Sequence, residues 1–197
     1  MGSFIIQGGH PLKGEITPQG AKNEALQVIC ATLLTPEKVT ISNIPNIRDV
    51  NKLLELIKSL GVTVTQPENN TYSFKAEQIN FTYLNSKEFQ DQAEGLRGSI
   101  MIMGPLLARF GKGFIPEPGG DKIGRRRLDV HFQGFKNLGA QFHYDPKNNF
   151  YSIEGGQLKG TSMLLEEASV TGTANIIMTA VLAEGKTVIY NAACEPY

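Results

Sequence analysis

Residues 60–74 read LGVTVTQPENNTYSF, and residues 138–153 read LGAQFHYDPKNNFYSI. In both stretches, residues of alternating polarity lie on either side of a turn with the pattern Pro-x-Asn-Asn. Such alternation around an asparagine-containing turn predicts a β-hairpin. Because the same hairpin occurs twice, the chain contains an internal repeat, and the repeat decides the fold.

A helix is predicted before each hairpin. The apolar residues at helical spacing are Leu53, Leu54, Leu56, Ile57 and Leu60 in the first copy, and Phe132, Phe135 and Leu138 in the second. Each run stops at a glycine, Gly61 or Gly139, as helix C-termini commonly do. The repeating unit is therefore predicted as strand, helix, strand, helix and hairpin, which is an α/β fold.

A third copy is indicated by the pairs Leu33-Leu34, Leu106-Leu107 and Val181-Leu182, which recur at spacings of 73 and 75 residues. In this register the third unit begins near Gly156 and stops at Tyr197, before its second helix and its hairpin. A repeat that cannot cover its apolar face is an unusual natural end. We therefore expect a fragment of a longer protein, with exposed apolar surface on the third unit that a neighbouring chain covers.

The composition excludes several classes of protein. Lys and Arg together number 19, as do Asp and Glu, so no overall charge favours nucleic acid or an anionic membrane. The two cysteines do not make a disulfide framework, and Cys30 is expected to be a small buried apolar residue. No stretch has the length of a membrane span or the features of a signal peptide. The sequence thus predicts a soluble cytosolic protein.

Residues 118–127, PGGDKIGRRR, form the clearest candidate functional segment. Glycines let a backbone approach a ligand closely, and guanidinium groups match phosphate and carboxylate in bidentate geometry. We interpret the segment as a loop that handles anions, with one acid, Asp121. A solvated basic surface loop is the alternative. Nucleic-acid binding through Lys122–Arg127 is disfavoured by the zero net charge and the lack of interleaved aromatic residues.

Three predicted helices begin with small and polar residues, near residues 20–25, 97–100 and 169–175. Helix N-termini offer unpaired N–H groups and the positive end of the helix dipole, which favour anions. If the repeats are symmetric, these three ends face the same side, together with Lys22 and Arg97. The three histidines lack the spacing of a metal site, and we expect neither a metal nor a cofactor.

Five segments carry a resemblance to a known family: Gly20–Asn23, Leu96–Ser99, the glycine loop from Pro118 to Arg126, Asp129–His131 and Leu182–Gly185. Together they resemble the UDP-N-acetylglucosamine 1-carboxyvinyltransferases, the enolpyruvyl transferases that commit a sugar nucleotide to bacterial peptidoglycan. The resemblance runs over essentially the whole chain. The related shikimate-pathway enolpyruvyl transferases share the fold but match these loops poorly.

The resemblance implies an inverted α/β barrel, in which each of two domains has three repeats, with helices inside and sheets outside. Residues 1–20 would be a strand segment belonging to the other domain, and residues 21–197 would be one incomplete domain. The general base and further arginines would come from the missing domain. We therefore expect this chain alone to be inactive; a non-catalytic sugar-nucleotide binding module is the alternative.

The resemblance also implies roles for particular residues. Lys22, Asn23 and Arg126 would bind phosphoenolpyruvate, and Asp121 would be the catalytic acid at a position usually held by cysteine. The expected UDP-sugar contacts are Arg97, Arg126, Arg127, Leu128, Asp129, Val130, Ser169 and Val170. Because a carboxylate is not alkylated as a thiol is, the intact enzyme would be insensitive to fosfomycin. Arg127 and Glu167 depart from the family's usual proline and lysine, which puts the contacts at both positions in question.

Overall fold

The computed structural model describes residues 2–116, 127–146 and 150–197. Its helices are α1 (Lys22–Ala31), α2 (Arg48–Ser59), α3 (Phe81–Leu84), α4 (Lys87–Glu94), α5 (Met103–Phe110), α6 (Asp129–Asn137) and α7 (Val170–Ala180). One 3₁₀ helix, Thr32–Leu34, follows α1, and a second, Arg97–Ile102, precedes α5. The strands are β1 (Lys38–Ile41), β2 (Thr63–Glu68), β3 (Thr71–Lys75), β4 (Lys112–Pro116), β5 (Gln141–Asp145), β6 (Phe150–Glu154), β7 (Ser162–Leu164) and β8 (Val188–Tyr190).

The first two repeats have the same topology. Unit 1 forms an antiparallel sheet in the order β1-β3-β2, and unit 2 forms one in the order β4-β6-β5. In each sheet the strand after the first helix pairs with the second strand of the hairpin, from Lys38↔Lys75 in unit 1 and from Lys112↔Glu154 in unit 2. The predicted hairpin repeat is thus confirmed; the turn residues 147–149 of the second hairpin lie outside the described residues.

The helices before the hairpins also agree with the sequence prediction. The apolar face of α2 is buried, and Leu138 and Phe135 of the α6 segment are fully buried. Both helices end where glycine adopts a positive φ, +95° at Gly61 and +99° at Gly139. Residues with a Cβ rarely adopt this left-handed conformation, so each glycine directs the chain from its helix into the hairpin.

The third unit contains β7, α7 and β8, and its two strands are parallel, with Ser162 opposite Val188. Parallel strands need a crossover connection, which α7 supplies. Several of this unit's apolar side chains are exposed: Leu164, Ile177, Val181, Leu182 and Tyr190. The expected exposed apolar surface is therefore present.

Two segments differ from the idealised repeat. Residues 2–20 form no strand in the described chain, and Phe4, Ile5 and Ile6 are at least 90% exposed. A strand needs a hydrogen-bonding partner, and the described residues offer none to this segment; its assignment to another domain stays a prediction. Unit 2 has α3 and α4 before the 3₁₀ helix Arg97–Ile102 and α5, where the repeat predicts a strand.

One buried core joins α1, α5 and α7, the equivalent helices of the three units, with side chains of α2, α4, α6 and β3. Its fully buried side chains include Ile29, Met103, Leu106 and Ile176, together with the Cys30 thiol, whose pKa is raised by burial. A Cβ on Gly104 of α5 would lie 2.2 Å from Asn175 Oδ1, so the glycine is what lets α5 approach α7.

One side chain bridges the first two units. Arg109, at the end of α5 in unit 2, donates to three backbone carbonyls of the preceding part of the chain. The distances are 3.1 Å to Leu33 O, 2.6 Å to Ala76 O and 3.4 Å to Glu77 O. Burial lowers the pKa of Arg109, but a guanidinium remains charged at neutral pH. These are charge-assisted hydrogen bonds between the two units.

Candidate active site

A cavity of about 620 Å³ lies where α1, the 3₁₀ helix Arg97–Ile102 and α7 begin. Its polar and charged lining residues are Lys22, Asn23, Gln27, Arg48, Asp49, Lys52, Arg97, His131 and Thr171. Apolar residues that include Leu26, Leu128 and Val170 complete the wall. Four lysine and arginine side chains and one carboxylate thus face one hollow, which favours an anionic ligand.

The starts of the helices around the cavity differ in how they are capped. Among the described residues, no side chain caps α1 at Ala21 or the 3₁₀ helix at Leu96. The first N–H groups of these helices are therefore available to a ligand oxygen. The start of α7 is capped by Ser169, whose Oγ accepts from the Gly172 N–H at 3.2 Å.

Lys22 is paired with a carboxylate that also lines the cavity. Its Nζ lies 2.8 Å from Asp49 Oδ2, and the two side chains are 49% and 40% exposed. An exposed ion pair of this kind contributes little to stability, so an anionic ligand can replace Asp49 at a small cost. Lys52, on the same helix as Asp49, donates to the Gly95 carbonyl at 2.7 Å.

Arg127 lies between the two segments that the sequence predicts for the sugar nucleotide. Its Nε donates to Asp129 Oδ2 at 2.6 Å, and its Nη2 donates to Glu166 Oε2 at 3.1 Å. The hydrogen bond and charge of Asp129, followed by the charge of Glu166, raise the pKa of Arg127. Arg127 thus ties the start of α6 to the turn before α7.

The predicted site residues fall into three groups. Lys22, Asn23, Arg97, Leu128 and Val170 line the cavity. Arg127, Asp129, Val130 and Ser169 are outside its lining; the Val130 side chain is buried, so a ligand contact there would have to come from its backbone. Asp121 and Arg126 lie outside the described residues. The ligand roles of all these residues stay predictions.

A buried polar network supports one wall of the cavity. His131 is 2% exposed and Asn175 is fully buried. His131 Nδ1 lies 3.0 Å from Asn175 Nδ2, and His131 Nε2 lies 3.2 Å from Thr171 Oγ1. Burial, followed by the positive charge of Arg97, lowers the pKa of His131 to about 4. The imidazole is therefore neutral at pH 7.

Sequence reasoning missed six of the polar and charged residues that line the cavity: Gln27, Arg48, Asp49, Lys52, His131 and Thr171. For Arg48 and Lys52 a signal existed, because α2 occupies in unit 1 the place of α6 in unit 2, whose start was predicted to be in the site. His131 was noted only as part of a motif. Thr171 follows two predicted contacts, Ser169 and Val170, but no pattern distinguished its side chain.

Other chemistries have no counterpart in the part of the chain that the structure describes. There, no three His, Cys, Asp or Glu residues are grouped so that they could hold a metal ion. None of the helices described has both the length and the apolar character needed to cross a membrane.

Comparison with protein families gives a match over residues 6–197 to the family described as EPSP synthase (3-phosphoshikimate 1-carboxyvinyltransferase). A UDP-N-acetylglucosamine 1-carboxyvinyltransferase of Bacteroides fragilis is 62% identical over 197 residues, which are 100% of this chain and 45% of that protein. The chain thus spans about half the length of the curated relatives it matches. The predicted resemblance is confirmed.

Solved enolpyruvyl transferases share the fold. The enolpyruvyl transferase NikO from Streptomyces tendae superposes with a TM-score of 0.71 at 14% identity, over 92% of this chain and 42% of that chain. EPSP synthase from Acinetobacter baumannii gives a TM-score of 0.66 at 20% identity, over 93% and 41% of the two chains. At such low identity the likeness bears on the fold alone, and it confirms the predicted α/β class of enolpyruvyl transferase type.

Proposed function

This chain belongs to the EPSP synthase family of carboxyvinyltransferases, and from that premise we propose its substrates and reaction. The protein of full family length transfers the enolpyruvyl group of phosphoenolpyruvate to the 3-hydroxyl of UDP-N-acetylglucosamine. The identity of the Bacteroides fragilis relative, 62% over the whole chain, supports this acceptor over shikimate 3-phosphate. The 197-residue chain holds the half of the site that surrounds the cavity.

The observation that carries the proposal is the convergence of cations and uncapped helix starts on one cavity. Lys22, Arg48, Lys52 and Arg97 line it beside the N-termini of α1 and the 3₁₀ helix. Both proposed substrates are anionic phosphate esters, and phosphoenolpyruvate also carries a carboxylate. Fixed positive charge and backbone donors in one hollow are what their binding requires.

In the proposed reaction the sugar hydroxyl gives its proton to a base and adds to C2 of phosphoenolpyruvate while C3 gains a proton. C3 then loses a proton as the C2–O bond to phosphate breaks, which releases phosphate and restores the double bond in the product. Lys22 exchanges Asp49 for the phosphate or carboxylate of phosphoenolpyruvate, and Asn23 donates a hydrogen bond beside it. Arg126 bridges the two substrates. These groups stabilise the negative charge that develops on the departing phosphate.

Asp121 supplies the proton to C3 in this proposal. The neighbouring cations of residues 122–127 favour its carboxylate, so an acid role requires water to be excluded when the site closes. A carboxylate in place of a thiol also makes the enzyme insensitive to fosfomycin. Substituting Asp121→Cys is expected to introduce sensitivity.

The sugar nucleotide lies along the wall formed by α6, α7 and the 3₁₀ helix Arg97–Ile102. Arg97, Leu128 and Val170 contact it from within the cavity, and the segments 127–130 and 169–170 bind its uridine end. The ion pairs of Arg127 with Asp129 and Glu166 hold these two segments together. Arg127 therefore acts here chiefly by joining the segments.

The wider setting follows from the same proposal. The enzyme works in the bacterial cytoplasm, and its product enters peptidoglycan synthesis, on which cell shape and division depend. It needs neither nucleic acid nor a membrane as a partner. The 197-residue chain alone binds substrate without turnover, and its third unit, with Leu164, Val181 and Tyr190 exposed, self-associates.

Phosphate release with both substrates tests the reaction. We expect release by the protein of full family length and none by the 197-residue chain. Lys22→Ala in the full-length protein should lower the rate by about a hundredfold or more, because it removes a cation that the transition state needs. Lys136→Ala, at the other end of α6 from the cavity, is the matched control and should leave the rate unchanged.

Two results would contradict the proposal. One is the absence of phosphate release from the full-length protein with UDP-N-acetylglucosamine when shikimate 3-phosphate supports release. The other is equal activity of the Lys22→Ala and Lys136→Ala variants. Turnover by the 197-residue chain would overturn its proposed inactivity, but not the assigned reaction.

A further inference from the structure

A chain of hydrogen bonds runs from the backbone of α5 to the wall of the cavity. At its buried end, the Gly104 N–H donates to Asn175 Oδ1 at 3.0 Å, and Asn175 Nδ2 donates to the Ile100 carbonyl at 3.0 Å. Asn175 Nδ2 also lies 3.0 Å from His131 Nδ1, and His131 Nε2 lies 3.2 Å from Thr171 Oγ1. Thr171, at the other end, is exposed and lines the cavity.

The backbone groups fix the direction of every bond in this chain. A backbone N–H can only donate and a carbonyl can only accept, so Asn175 must place its oxygen toward Gly104 and its NH₂ group toward Ile100. The second proton of that NH₂ group then points at His131 Nδ1, which has to accept. The proton of the neutral imidazole is therefore on Nε2, and Nε2–H donates to Thr171 Oγ1.

His131 cannot easily reverse this arrangement by gaining a second proton. Its ring is 2% exposed, and the Arg97 guanidinium adds a positive charge nearby. Both effects disfavour the imidazolium. Protonation would also place a hydrogen on Nδ1, so that two hydrogen-bond donors, Nδ1–H and the Asn175 N–H, would face each other with no acceptor between them.

We infer that Thr171 is a further ligand contact, whose hydroxyl donates a hydrogen bond to a phosphate oxygen of the sugar nucleotide. Because its oxygen already accepts from His131, the hydroxyl proton remains for an acceptor in the cavity. A phosphate oxygen accepts and never donates, so it fits this directed donor. His131 and Asn175 are positioning residues that act through Thr171.

The sugar nucleotide is the better match of the two proposed substrates, since Thr171 directly follows Ser169 and Val170 on α7. The inference rests on the proposed function for the identity of the ligand. The direction of the hydrogen-bond chain does not depend on that proposal, because it follows from Gly104, Ile100 and Asn175 alone.

Calorimetric titration of the 197-residue chain with UDP-N-acetylglucosamine tests the contact. Thr171→Val keeps the shape of the side chain but loses the hydroxyl, and it should weaken binding about tenfold, as expected for a hydrogen bond to a charged group. Thr171→Ser should restore most of the affinity. Thr63→Val, on an exposed position of β2, is the matched control and should bind like the unchanged protein.

A second measurement addresses the positioning residues without any ligand. In ¹⁵N-histidine NMR of the unliganded chain, His131 should be the Nε2–H tautomer at pH 7, and it should remain so in Thr171→Val. A His131 signal of the Nδ1–H tautomer would overturn the inference and leave the proposed function intact.

The titration outcomes separate the two proposals. Equal affinity of the unchanged protein and Thr171→Val for UDP-N-acetylglucosamine overturns the Thr171 contact alone. If Thr171→Val weakens the binding of phosphoenolpyruvate and leaves sugar-nucleotide binding unaffected, the assignment of the contact to the sugar nucleotide is overturned. If the unchanged protein does not bind UDP-N-acetylglucosamine, both the proposed binding role of this chain and the Thr171 contact fail.

Discussion

The two walls of the cavity present charge in different ways. On the wall formed by α1 and α2, Lys22 and Asp49 make an ion pair whose side chains are 49% and 40% exposed. On the wall formed by α6 and α7, His131 and Asn175 are buried, and Asn175, which bonds to His131, is also bonded to backbone groups that cannot change role. The first wall can exchange its internal carboxylate for a ligand, whereas the second holds one donor in a fixed direction.

The two walls differ in how far their polar groups are exposed to solvent. Water screens the exposed pair and can replace either partner, so breaking it costs little. The buried network has no such substitute, and a group left without its partner there keeps the whole cost of its desolvation. A site of this kind combines an adaptable surface that binds anions with a rigid surface that orients the bound ligand.

The largest expected effect comes from removing the centre of the buried network. Asn175→Ala would leave the Gly104 N–H, the Ile100 carbonyl and His131 Nδ1 without their partner, so we expect the free energy of unfolding to fall by about 4 kcal/mol. Urea unfolding measures this change. Asn51→Ala removes an exposed asparagine bonded to Asn46 and should cost only a few tenths of a kcal/mol. Similar losses in both variants would show that the walls do not differ as described.

A smaller effect is expected from pH. The pKa of His131 is about 4 in the folded protein against 6.5 for the unperturbed group, so between these values the unfolded chain binds the proton and the folded chain does not. Stability from this group is therefore full above pH 6.5 and is lost as the pH falls toward 4, by roughly 3 kcal/mol in total.

Urea unfolding between pH 7 and 4 measures this loss against two histidine variants. In His131→Gln the free energy of unfolding should decline less steeply with falling pH than in the unchanged protein, because the histidine that takes up a proton on unfolding is gone. His143→Gln, at an exposed position on β5, serves as the control and should leave the decline as it was. An unchanged slope in His131→Gln would mean that His131 is not held neutral by its surroundings.

The smallest effect is expected at the exposed wall. Asp49→Asn removes the carboxylate that pairs with Lys22, and the free energy of unfolding should change by less than about 1 kcal/mol. Titration with inorganic phosphate should show affinity raised about threefold, since the anion no longer displaces a carboxylate. Asp91→Asn breaks the similar Lys87–Asp91 pair away from the cavity and should not alter phosphate affinity. Weaker phosphate binding in Asp49→Asn would indicate that Asp49 positions Lys22 instead of competing for it.

The sequence predicted the repeat because local patterns determine it. Alternation around Asn69-Asn70 and the helical spacing ending at Gly61 and Gly139 each depend on neighbouring residues, and the structure forms these elements where expected. The opening strand of the unit was harder to predict, because a strand depends on a partner that is distant in sequence. Residues 2–20 and 81–94 therefore depart from the idealised unit.

The candidate site was predictable where it lies at a helix start and not where it depends on packing. Lys22 and Arg97 follow from the repeat and the chemistry of helix N-termini, whereas Asn23 follows from the family resemblance; all three line the cavity. The His131 tautomer follows from a contact with Asn175, 44 residues away. Nothing in the local sequence of Thr171 indicates that its oxygen is already occupied.

Arg109 has a consequence for how the chain opens. In arrays of repeats, each unit contacts its neighbours alone, and fraying proceeds from one end. Here the guanidinium from unit 2 holds the carbonyls of Leu33, Ala76 and Glu77, two of which follow the last strand of unit 1. Unit 1 cannot detach without breaking these three bonds, so we expect the amide hydrogens of the first two repeats to exchange together and not unit by unit.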